Sequence, residues 1–235
     1  SVEMTVGHGA KLKIKETTGF PFRETIHFDM ELSEDALFPF HLRIPAWSQN
    51  PKIEVNGTEE KFEVIGQVAL LKRTWKSGDK VTLTLPMELK YSTWYRDLVS
   101  IERGPLVFSL KVESKNKIKD RKDRFRAFWE VFPKRDWNFA LEANTLSNLS
   151  TNIEIIENDW NGEFPWNLEN APIELRLKGV HVPEWRTVKS APQLPENLPK
   201  RMSMNEITQR QKEITLVPYG CTTLRITEFP VIKVE

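Results

Sequence analysis

The side chains that could carry out acid–base or metal chemistry are scattered along the sequence and form no specific motif. With 33 Asp and Glu residues in 235, carboxylate pairs able to act as acid and base are inevitable, so their presence does not discriminate between functions. A histidine pair at metal-ligand spacing would be more specific, but the histidines occur singly. We therefore assign no catalytic residue and no metal ligand. The four histidines are His8, His27, His41 and His181.

The single cysteine, Cys221, cannot form a disulfide within the chain or supply a zinc site made of several thiolates. It follows Pro218-Tyr219-Gly220 and precedes a predicted strand, without a neighbouring group that would lower its pKa. We expect a buried, unreactive thiol. The signatures of serine hydrolases, of phosphate-binding P-loops and of dinucleotide-binding folds are also missing, which excludes those classes.

Aromatic residues within a polar loop are the strongest indication of a binding site. Segment 157–167 is rich in Asn, Asp, Gly and Pro, which predicts a loop, and it contains two tryptophans. Exposed indole rings can stack on sugar rings while carboxylates and amides bind the hydroxyls. The candidate carbohydrate-binding residues are therefore Trp160, Trp166 and Asp159. The alternative interpretation is that both indoles pack against a sheet edge or an adjoining domain.

A second aromatic pair, Trp94-Tyr95, comes just before Asp97 at a point where another domain could contact the chain. We interpret this pair as a candidate domain interface. Two further tryptophans, Trp47 and Trp75, follow predicted strands, and we expect both to be core residues.

The charges of the chain nearly cancel. It has 34 Lys and Arg against 33 Asp and Glu, and this balance argues against nucleic acid or an anionic membrane as a partner. The sequence lacks an apolar run long enough to cross a bilayer, and residues 1–15 alternate polar with apolar, unlike an intact signal peptide. We expect neither a nucleic acid partner nor membrane insertion.

Apolar residues at every second position predict strands in both halves of the chain. Turn sequences support this reading: Asn56-Gly57 predicts a hairpin between strands at 52–55 and 62–64. Fifteen prolines argue against long helices. We predict an all-β fold, an antiparallel β-sandwich of jelly-roll type. The alternating segments are 12–14, 26–32, 38–44, 81–85, 106–110, 153–155, 173–177, 214–216 and 224–226.

Two stretches interrupt the strand pattern. The charged stretch 115–124 predicts an exposed loop that separates two β units, 1–113 and 114–235. The stretch 189–210, with three prolines among polar residues, predicts an irregular surface excursion. Between them, 125–132 fits both a helix and a strand, and its aromatic content favours a strand. The pattern leaves open whether the late strands near 214–227 close the second unit or return to the first.

Several short strings, in order and at comparable spacing, resemble the region that follows the catalytic barrel in glycoside hydrolase family 127, long catalogued as DUF1680. Each string alone is weak, but a collinear set is specific. The strings are LRIPAW at 42–47, VNG at 55–57, Trp75 with Gly78-Asp79, LPM at 85–87, ERGPLVF at 102–108, EVFP at 130–133, WNFAL at 137–141, ITLVPYGC at 214–221 and LRIT at 224–227.

The resemblance implies a parent glycoside hydrolase that acts on β-L-arabinofuranosides and has an (α/α)6 barrel followed by β-sandwich domains. In such enzymes a zinc-bound cysteine is the nucleophile and a glutamate is the acid/base. Those residues belong to the barrel, so none of them is carried onto this chain, and no cofactor is expected on it. The expected role is a non-catalytic region that supports the barrel. The alternative is an autonomous carbohydrate-binding module.

The expected partners follow from the same resemblance. They are the catalytic barrel of the same polypeptide, a plant-type oligosaccharide and a second copy of the chain in a homodimer. Export to the periplasm or outside a bacterium is typical of such enzymes, although the residues themselves do not indicate a compartment. A supporting region separated from its barrel should also expose an apolar docking patch.

Overall fold

The structure is a computed structural model that describes residues 1–119, 128–160, 162–188, 191–194, 196 and 198–235. Strands dominate the described residues, and the helices among them are short. The predicted all-β, sandwich-like fold is confirmed. Residue contacts divide the chain into two compact units, Ser1–Glu88 and Leu89–Glu235.

The first unit consists of antiparallel strands in two sheets. One sheet has the order β1-β2-β3-β9-β5-β6 and the other the order β4-β8-β7. Because apolar residues alternate along these strands, both sheets contribute side chains to one shared core. The strands are β1 (Val2–Val6), β2 (Ala10–Thr18), β3 (Thr25–Leu32), β4 (Ala36–Arg43), β5 (Lys52–Val55), β6 (Thr58–Glu59), β7 (Val64–Ile65), β8 (Val68–Trp75) and β9 (Lys80–Thr84).

Trp75 occupies the middle of this core. Its side chain is fully buried, and its indole N–H donates a hydrogen bond to the carbonyl oxygen of Phe38 at 3.1 Å. The prediction of a core residue is confirmed for Trp75, whereas Trp47 is half-buried and packs against the edge of the core.

The hairpin at Asn56-Gly57 forms, but its second strand is shorter and earlier than predicted. Val55 pairs directly with Thr58, so β6 follows the two-residue turn at once. Both turn residues have positive φ, 52° and 78°, which suits a tight hairpin. Pairing of 52–55 with 62–64 is therefore wrong; β7 pairs with β8 instead.

The second unit contains a larger mixed sheet, with the order β10-β11-β12-β21-β17-β15-β22-β20 and with β16 added beside β17. Two smaller ribbons, β13-β14 and β18-β19, complete its described strands. The strands are β10 (Leu89–Thr93), β11 (Val99–Arg103), β12 (Leu106–Leu110), β13 (Ser114–Lys119), β14 (Phe128–Pro133), β15 (Phe139–Glu142), β16 (Ile153–Glu157), β17 (Ile173–His181), β18 (Arg186–Val188), β19 (Ala191–Gln193), β20 (Arg201–Met202), β21 (Gln211–Pro218) and β22 (Val231–Val234).

Contacts place the division of the chain after Glu88, whereas the sequence analysis placed it after residue 113. The physical reason is strand pairing that the local pattern does not reveal. β11 pairs with β10, and β12 pairs with both β11 and β21, so residues 89–110 are built into the larger sheet.

Of the late strands, β21 joins this same sheet and contacts both of the units predicted from the sequence, 1–113 and 114–235. β21 pairs with β12 and β17. The predicted strand at 224–226 does not form. The Arg225 side chain donates to the Thr222 carbonyl oxygen and the Thr222 hydroxyl to the Leu224 carbonyl oxygen, while the Ile226 carbonyl oxygen accepts a single bond from the Leu110 backbone N–H at 2.8 Å.

The two irregular stretches contain more regular structure than predicted. Residues 115–119 are part of β13, which pairs with β14; residues 120–127 lie outside the described part of the chain. The strand expected within 125–132 is confirmed over 128–132. Within 189–210, the helix α3 (Met204–Arg210) follows α1 (Ala143–Ser147) and α2 (Leu149–Asn152), and a capping box begins it: the Ser203 hydroxyl and the Glu206 carboxylate each bind the other's backbone N–H.

Candidate functional site

A groove of about 830 Å³ in the second unit gathers aromatic side chains from widely separated segments. A volume of this size is typical of small-molecule sites. Polar side chains, among them Arg96 and Glu228, line the groove beside the rings. We call it the aromatic groove, and its aromatic residues are Trp94, Tyr95, Trp166, Trp185 and Tyr219.

Trp94 and Tyr95 reach the groove from the tip of the β10-β11 hairpin. The Trp94 backbone N–H bonds to the Leu98 carbonyl oxygen at 2.7 Å, so only three residues form the loop. Two of them, Arg96 and Asp97, have φ of 60° and 61°. This left-handed conformation strains an arginine by roughly 1 kcal/mol or more. The loop therefore holds its aromatic residues outward at an energetic cost.

Side-chain hydrogen bonds fix the same tip. The Trp94 indole N–H donates to the Ser92 hydroxyl oxygen at 2.9 Å, and that hydroxyl in turn donates to Glu102. Arg96 donates to the Leu194 carbonyl oxygen at 3.1 Å. Both rings nevertheless remain open to solvent, with Trp94 56% and Tyr95 83% exposed.

Trp166 reaches the groove from the polar loop between β16 and β17. Its ring lies directly on Gly220, where an added Cβ would stand 2.6 Å from Cε3 of the indole. Only glycine allows this approach. On the same side, the Cys221 thiol donates to the Pro165 carbonyl oxygen at 3.3 Å, so the 3₁₀ turn Tyr219–Cys221 positions this loop.

Tyr219, at the start of that turn, presents its ring beneath a guanidinium group. The Arg225 Cζ lies 4.4 Å from the ring centroid, a cation–π contact. The Nε of Arg225 also donates to the Thr222 carbonyl oxygen at 3.1 Å, which fixes the guanidinium. The tyrosine ring is thus held in place while about half of the side chain stays exposed.

Trp185 forms the buried wall of the groove. Its side chain is only 4% exposed and packs edge-to-face on Trp137, with ring centroids 5.1 Å apart. Its Nε1 is buried and has no hydrogen-bond partner among the described residues. A buried N–H without an acceptor destabilises the folded state by about 1–3 kcal/mol, and such groups are rare in folded proteins.

The structure brings some of the predicted site residues together and leaves others apart. Trp166 lies in the groove together with Trp94 and Tyr95, which the sequence analysis had treated as a separate interface. Trp160 is half-buried outside the groove lining, and its indole N–H donates to the Glu163 carbonyl oxygen at 2.6 Å. Asp159 is exposed and also outside the lining. The roles assigned to all five residues stay predictions.

Sequence reasoning missed Tyr219, Trp185 and Arg225 as groove residues. Each lies in a segment without any local binding signal, and only the folding of β17, β21 and the following turn brings them near the hairpin tip. A composition scan cannot detect this arrangement.

Cys221 is buried, as predicted. Burial raises the pKa of its thiol to about 11, and the nearby Glu174 carboxylate acts in the same direction, while a hydrogen bond from the Asn167 backbone acts against them. The thiolate is therefore scarce at neutral pH, and the thiol is a poor nucleophile.

Within the described ranges, no group of three or more His, Cys, Asp or Glu residues is arranged to hold a metal ion. Among the helices of the same ranges, none has the length and apolar content needed to cross a bilayer.

Comparison with known proteins finds a family likeness in the first part of the chain. Residues 2–87 match the sequence profile of the beta-L-arabinofuranosidase GH127 middle domain. A search of curated proteins finds no match.

Solved structures resemble nearly the whole chain. A GH127 β-L-arabinofuranosidase from Geobacillus stearothermophilus T6 matches 99% of it with a TM-score of 0.60 and 17% identity, over 32% of that enzyme. A GH127 β-arabinofuranosidase matches 99% with a TM-score of 0.58 and 17% identity, over 34% of its length. A glycoside hydrolase matches 96% with a TM-score of 0.55 and 18% identity, over 35% of its length. The chain thus spans about a third of each of these proteins, and at this identity the likeness shows the fold. Together with the profile match over residues 2–87, it makes the chain similar to a β-rich region of GH127 enzymes.

Proposed function

We propose that this chain is a non-catalytic β-sandwich region of a GH127-like glycoside hydrolase, and that it supports a catalytic barrel carried elsewhere in a longer polypeptide. The observation that carries the proposal is the match of residues 2–87 to a domain described as the middle one of β-L-arabinofuranosidases. A middle domain is flanked by other parts of its protein. The likeness of the chain to about a third of two arabinofuranosidases supports the same interpretation.

The chemistry of the one thiol also supports a non-catalytic role. The family resemblance implies a zinc-bound cysteine as nucleophile in the parent enzyme. Cys221 does not fit that role, because burial raises its pKa to about 11 and it lies against a backbone carbonyl. We therefore assign no hydrolytic step to this chain.

Exposed apolar residues on the first unit are candidates for the contact with the barrel. Ile65 on β7 is 73% exposed, and Leu37 on β4 and Leu70 on β8 are also exposed although both are large and apolar. All three strands belong to one small sheet. Ile65 and Leu70 are neighbours, because Ile65 pairs with Val68, two residues before Leu70, whereas Leu37 pairs with Thr74 further along β8. Large apolar side chains exposed side by side are typical of interaction sites.

An activity assay tests the non-catalytic part of the proposal. The purified chain is incubated with p-nitrophenyl β-L-arabinofuranoside, and nitrophenol release is followed. We expect release at the rate of the buffer blank. Clear turnover by the purified chain would show that it carries a catalytic site of its own.

A stability experiment in the longer polypeptide tests the supporting part. The double substitution Ile65→Ser and Leu70→Ser should lower the temperature at which arabinofuranosidase activity is lost, because it removes apolar contact with the barrel. The matched control is Val2→Ser with Met4→Ser, since these exposed apolar residues lie on β1 of the other sheet. Equal effects of the two pairs would argue against a contact at Ile65 and Leu70.

A second candidate function, autonomous carbohydrate binding, is favoured by the aromatic groove. Exposed rings combined with hydrogen-bonding side chains are suited to sugars. A region that only supports a barrel should not bind sugar when isolated. Calorimetric titration of the chain with arabinose-containing oligosaccharides distinguishes the two: heat supports carbohydrate binding, and its absence leaves the supporting role alone.

A further inference from the structure

A second cavity of the second unit, about 890 Å³ in volume, is lined by charged rather than aromatic side chains. Residues of the β10-β11 hairpin, of α1, of β20 and of β22 contribute to its lining. Three of the lining residues are cations at β20 and β22, namely Lys200, Arg201 and Lys233. We call this cavity the basic pocket. Its volume is typical of small-molecule sites.

Strand pairing places the three cations of the basic pocket next to one another. Arg201 and Lys233 are direct partners in the parallel pairing of β20 with β22. Neighbouring strands lie about 4.8 Å apart, and like charges in directly opposed positions destabilise the pair. Lys200 precedes Arg201, and its carbonyl oxygen accepts a hydrogen bond from the Lys233 backbone N–H at 3.0 Å. The fold therefore holds three positive charges together.

The carboxylates of the described residues do not neutralise this cluster. None of the three side chains forms an ion pair or a hydrogen bond with another residue in the part of the chain that the structure describes. Exposed cations elsewhere do form such pairs: Lys80 lies 3.7 Å from Asp29, and Arg176 lies 3.2 Å from Glu154. An anion bound in the pocket would replace the repulsion among the cations by attraction.

Other walls of the basic pocket carry groups that suit hydroxyls. Asp97 and Glu196 contribute carboxylates, and Tyr91 and Thr93 contribute hydroxyl groups. Carboxylates accept hydrogen bonds, and hydroxyls both donate and accept them. The two carboxylates would repel a ligand that is anionic throughout. A ligand with one anionic group and several hydroxyls complements both sides of the pocket.

We propose that the basic pocket binds an acidic sugar, whose carboxylate is held by Lys200, Arg201 and Lys233 and whose hydroxyls face Asp97 and Glu196. The Arg201 guanidinium suits this role, because its planar fork can donate two parallel hydrogen bonds to a carboxylate. The choice of a sugar as the carrier of the charge rests on the proposed glycoside hydrolase parentage. The attraction for an anion rests on the charges of the pocket alone.

Calorimetric titration of the whole 235-residue chain with trigalacturonate tests the pocket. We expect a dissociation constant of about 0.1–1 mM in about 20 mM salt, as is reasonable for a small ligand in an open pocket. Binding should weaken about tenfold in about 200 mM salt, because salt screens the exposed cations. The fully methyl-esterified trisaccharide is the matched ligand control. It has the same sugar rings without charge and should not bind at millimolar concentration.

Substitutions locate the site within the chain. Lys200→Gln with Lys233→Gln should weaken binding of trigalacturonate at least about tenfold by removing two of the three cations. The matched control is Lys15→Gln with Lys72→Gln, which removes the same charge from exposed positions on β2 and β8. All four side chains are exposed, so we expect both variants to fold.

Thermal unfolding measures the repulsion in the pocket without any ligand. Lys233→Gln removes the like-charged partner of Arg201, so it should raise the unfolding midpoint in low salt. The gain should shrink in high salt, because screening weakens the repulsion in the wild type as well. An unchanged or lower midpoint in low salt would show that the cations do not repel one another, and it would remove the basis of the proposal.

Each outcome of the titrations decides for or against the acidic sugar. Absence of heat from trigalacturonate at millimolar concentration in low salt overturns the proposal, and so does equal binding of its methyl ester or equal weakening by the control variant. Inorganic phosphate is a further probe, and binding of phosphate without trigalacturonate would also overturn it. Binding of trigalacturonate together with hydrolysis by the purified chain would contradict the proposed non-catalytic role while supporting the pocket.

Discussion

Two turns, one in each unit, adopt the same unusual backbone conformation with different residues. In the first unit, Asn56 and Gly57 form the turn, and both tolerate positive φ. The Asn56 side chain also bonds to the Lys80 backbone N–H and to Asp79, each at 2.8 Å. In the second unit, Arg96 and Asp97 form the tip beside the aromatic groove, although arginine is poorly suited to φ of 60°.

Two buried tryptophans, Trp75 in the first unit and Trp185 in the second, differ in whether the indole N–H has an acceptor. The Trp75 N–H in the first unit is bonded to a backbone carbonyl oxygen, whereas the Trp185 N–H in the second has no described acceptor. The first unit is not free of such conflicts, because Gln67, in the turn between β7 and β8, also has a positive φ of 68°.

Replacing each of these tryptophans by phenylalanine should produce the largest contrast. Trp75→Phe should lower the free energy of unfolding by about 3 kcal/mol, because it leaves a gap in the core and removes a made hydrogen bond. Trp185→Phe also leaves a gap beside Trp137 but should cost about 1 kcal/mol less than Trp75→Phe, since its buried donor has no protein partner to lose. Urea unfolding followed by circular dichroism measures both. Equal losses would remove the distinction between the two sites.

The contact between Gly220 and Trp166 should be the next most sensitive feature. Gly220→Ala places a Cβ against the indole ring and should lower the free energy of unfolding by about 2 kcal/mol. In a Trp166→Ala background the same substitution should be nearly neutral, because the ring that it displaces is gone. Urea unfolding of the two single variants and the double variant measures this coupling. Additive losses would show that Gly220 is required for another reason.

The buried thiol predicts a loss of stability in alkali. The pKa of Cys221 is raised to about 11 in the folded chain, above its ordinary value of 9.0, so the folded state holds this proton more tightly than the unfolded state. The contribution is complete below pH 9 and is lost as the pH rises from 9 to 11, which amounts to roughly 1 kcal/mol at pH 10. Unfolding midpoints at pH 7 and pH 10 should therefore fall further in the wild type than in Cys221→Ala. Parallel falls in the two proteins would contradict the raised pKa.

The two turns should respond to substitution with opposite signs. Asn56→Ala should destabilise the chain by about 1 kcal/mol, because alanine disfavours positive φ and cannot bond to Lys80. Arg96→Gly should stabilise it by roughly 0.5 kcal/mol by relieving backbone strain, offset in part by the lost bond to Leu194. Thermal unfolding of both variants measures the signs. A loss of stability in Arg96→Gly would show that the tip is unstrained.

Local patterns predicted most strands because the cause of a strand is itself local. Alternation at 26–32 and 173–177 predicted β3 and β17, since one face of each strand packs into a core. The same alternation at 224–226 did not produce a strand; there, the Arg225 side chain binds a backbone carbonyl oxygen. Within 189–210 the prolines favoured an irregular stretch, so the helix α3 and its capping box were not predicted. The resemblance to family 127 rested on strings such as LRIPAW, and the profile match over 2–87 agrees with it.

The sequence by itself determined the fold class, the turn at Asn56-Gly57, the buried state of Cys221 and the family likeness, because each depends on neighbouring residues or on a collinear series of them. Only the tertiary structure decided that Trp94, Trp166 and Tyr219 share a groove. These residues lie on a hairpin tip, a loop and a turn that are far apart in the chain. A short-range sequence pattern cannot predict that these three residues lie close together, because their proximity depends on the order of β10, β17 and β21 within one sheet.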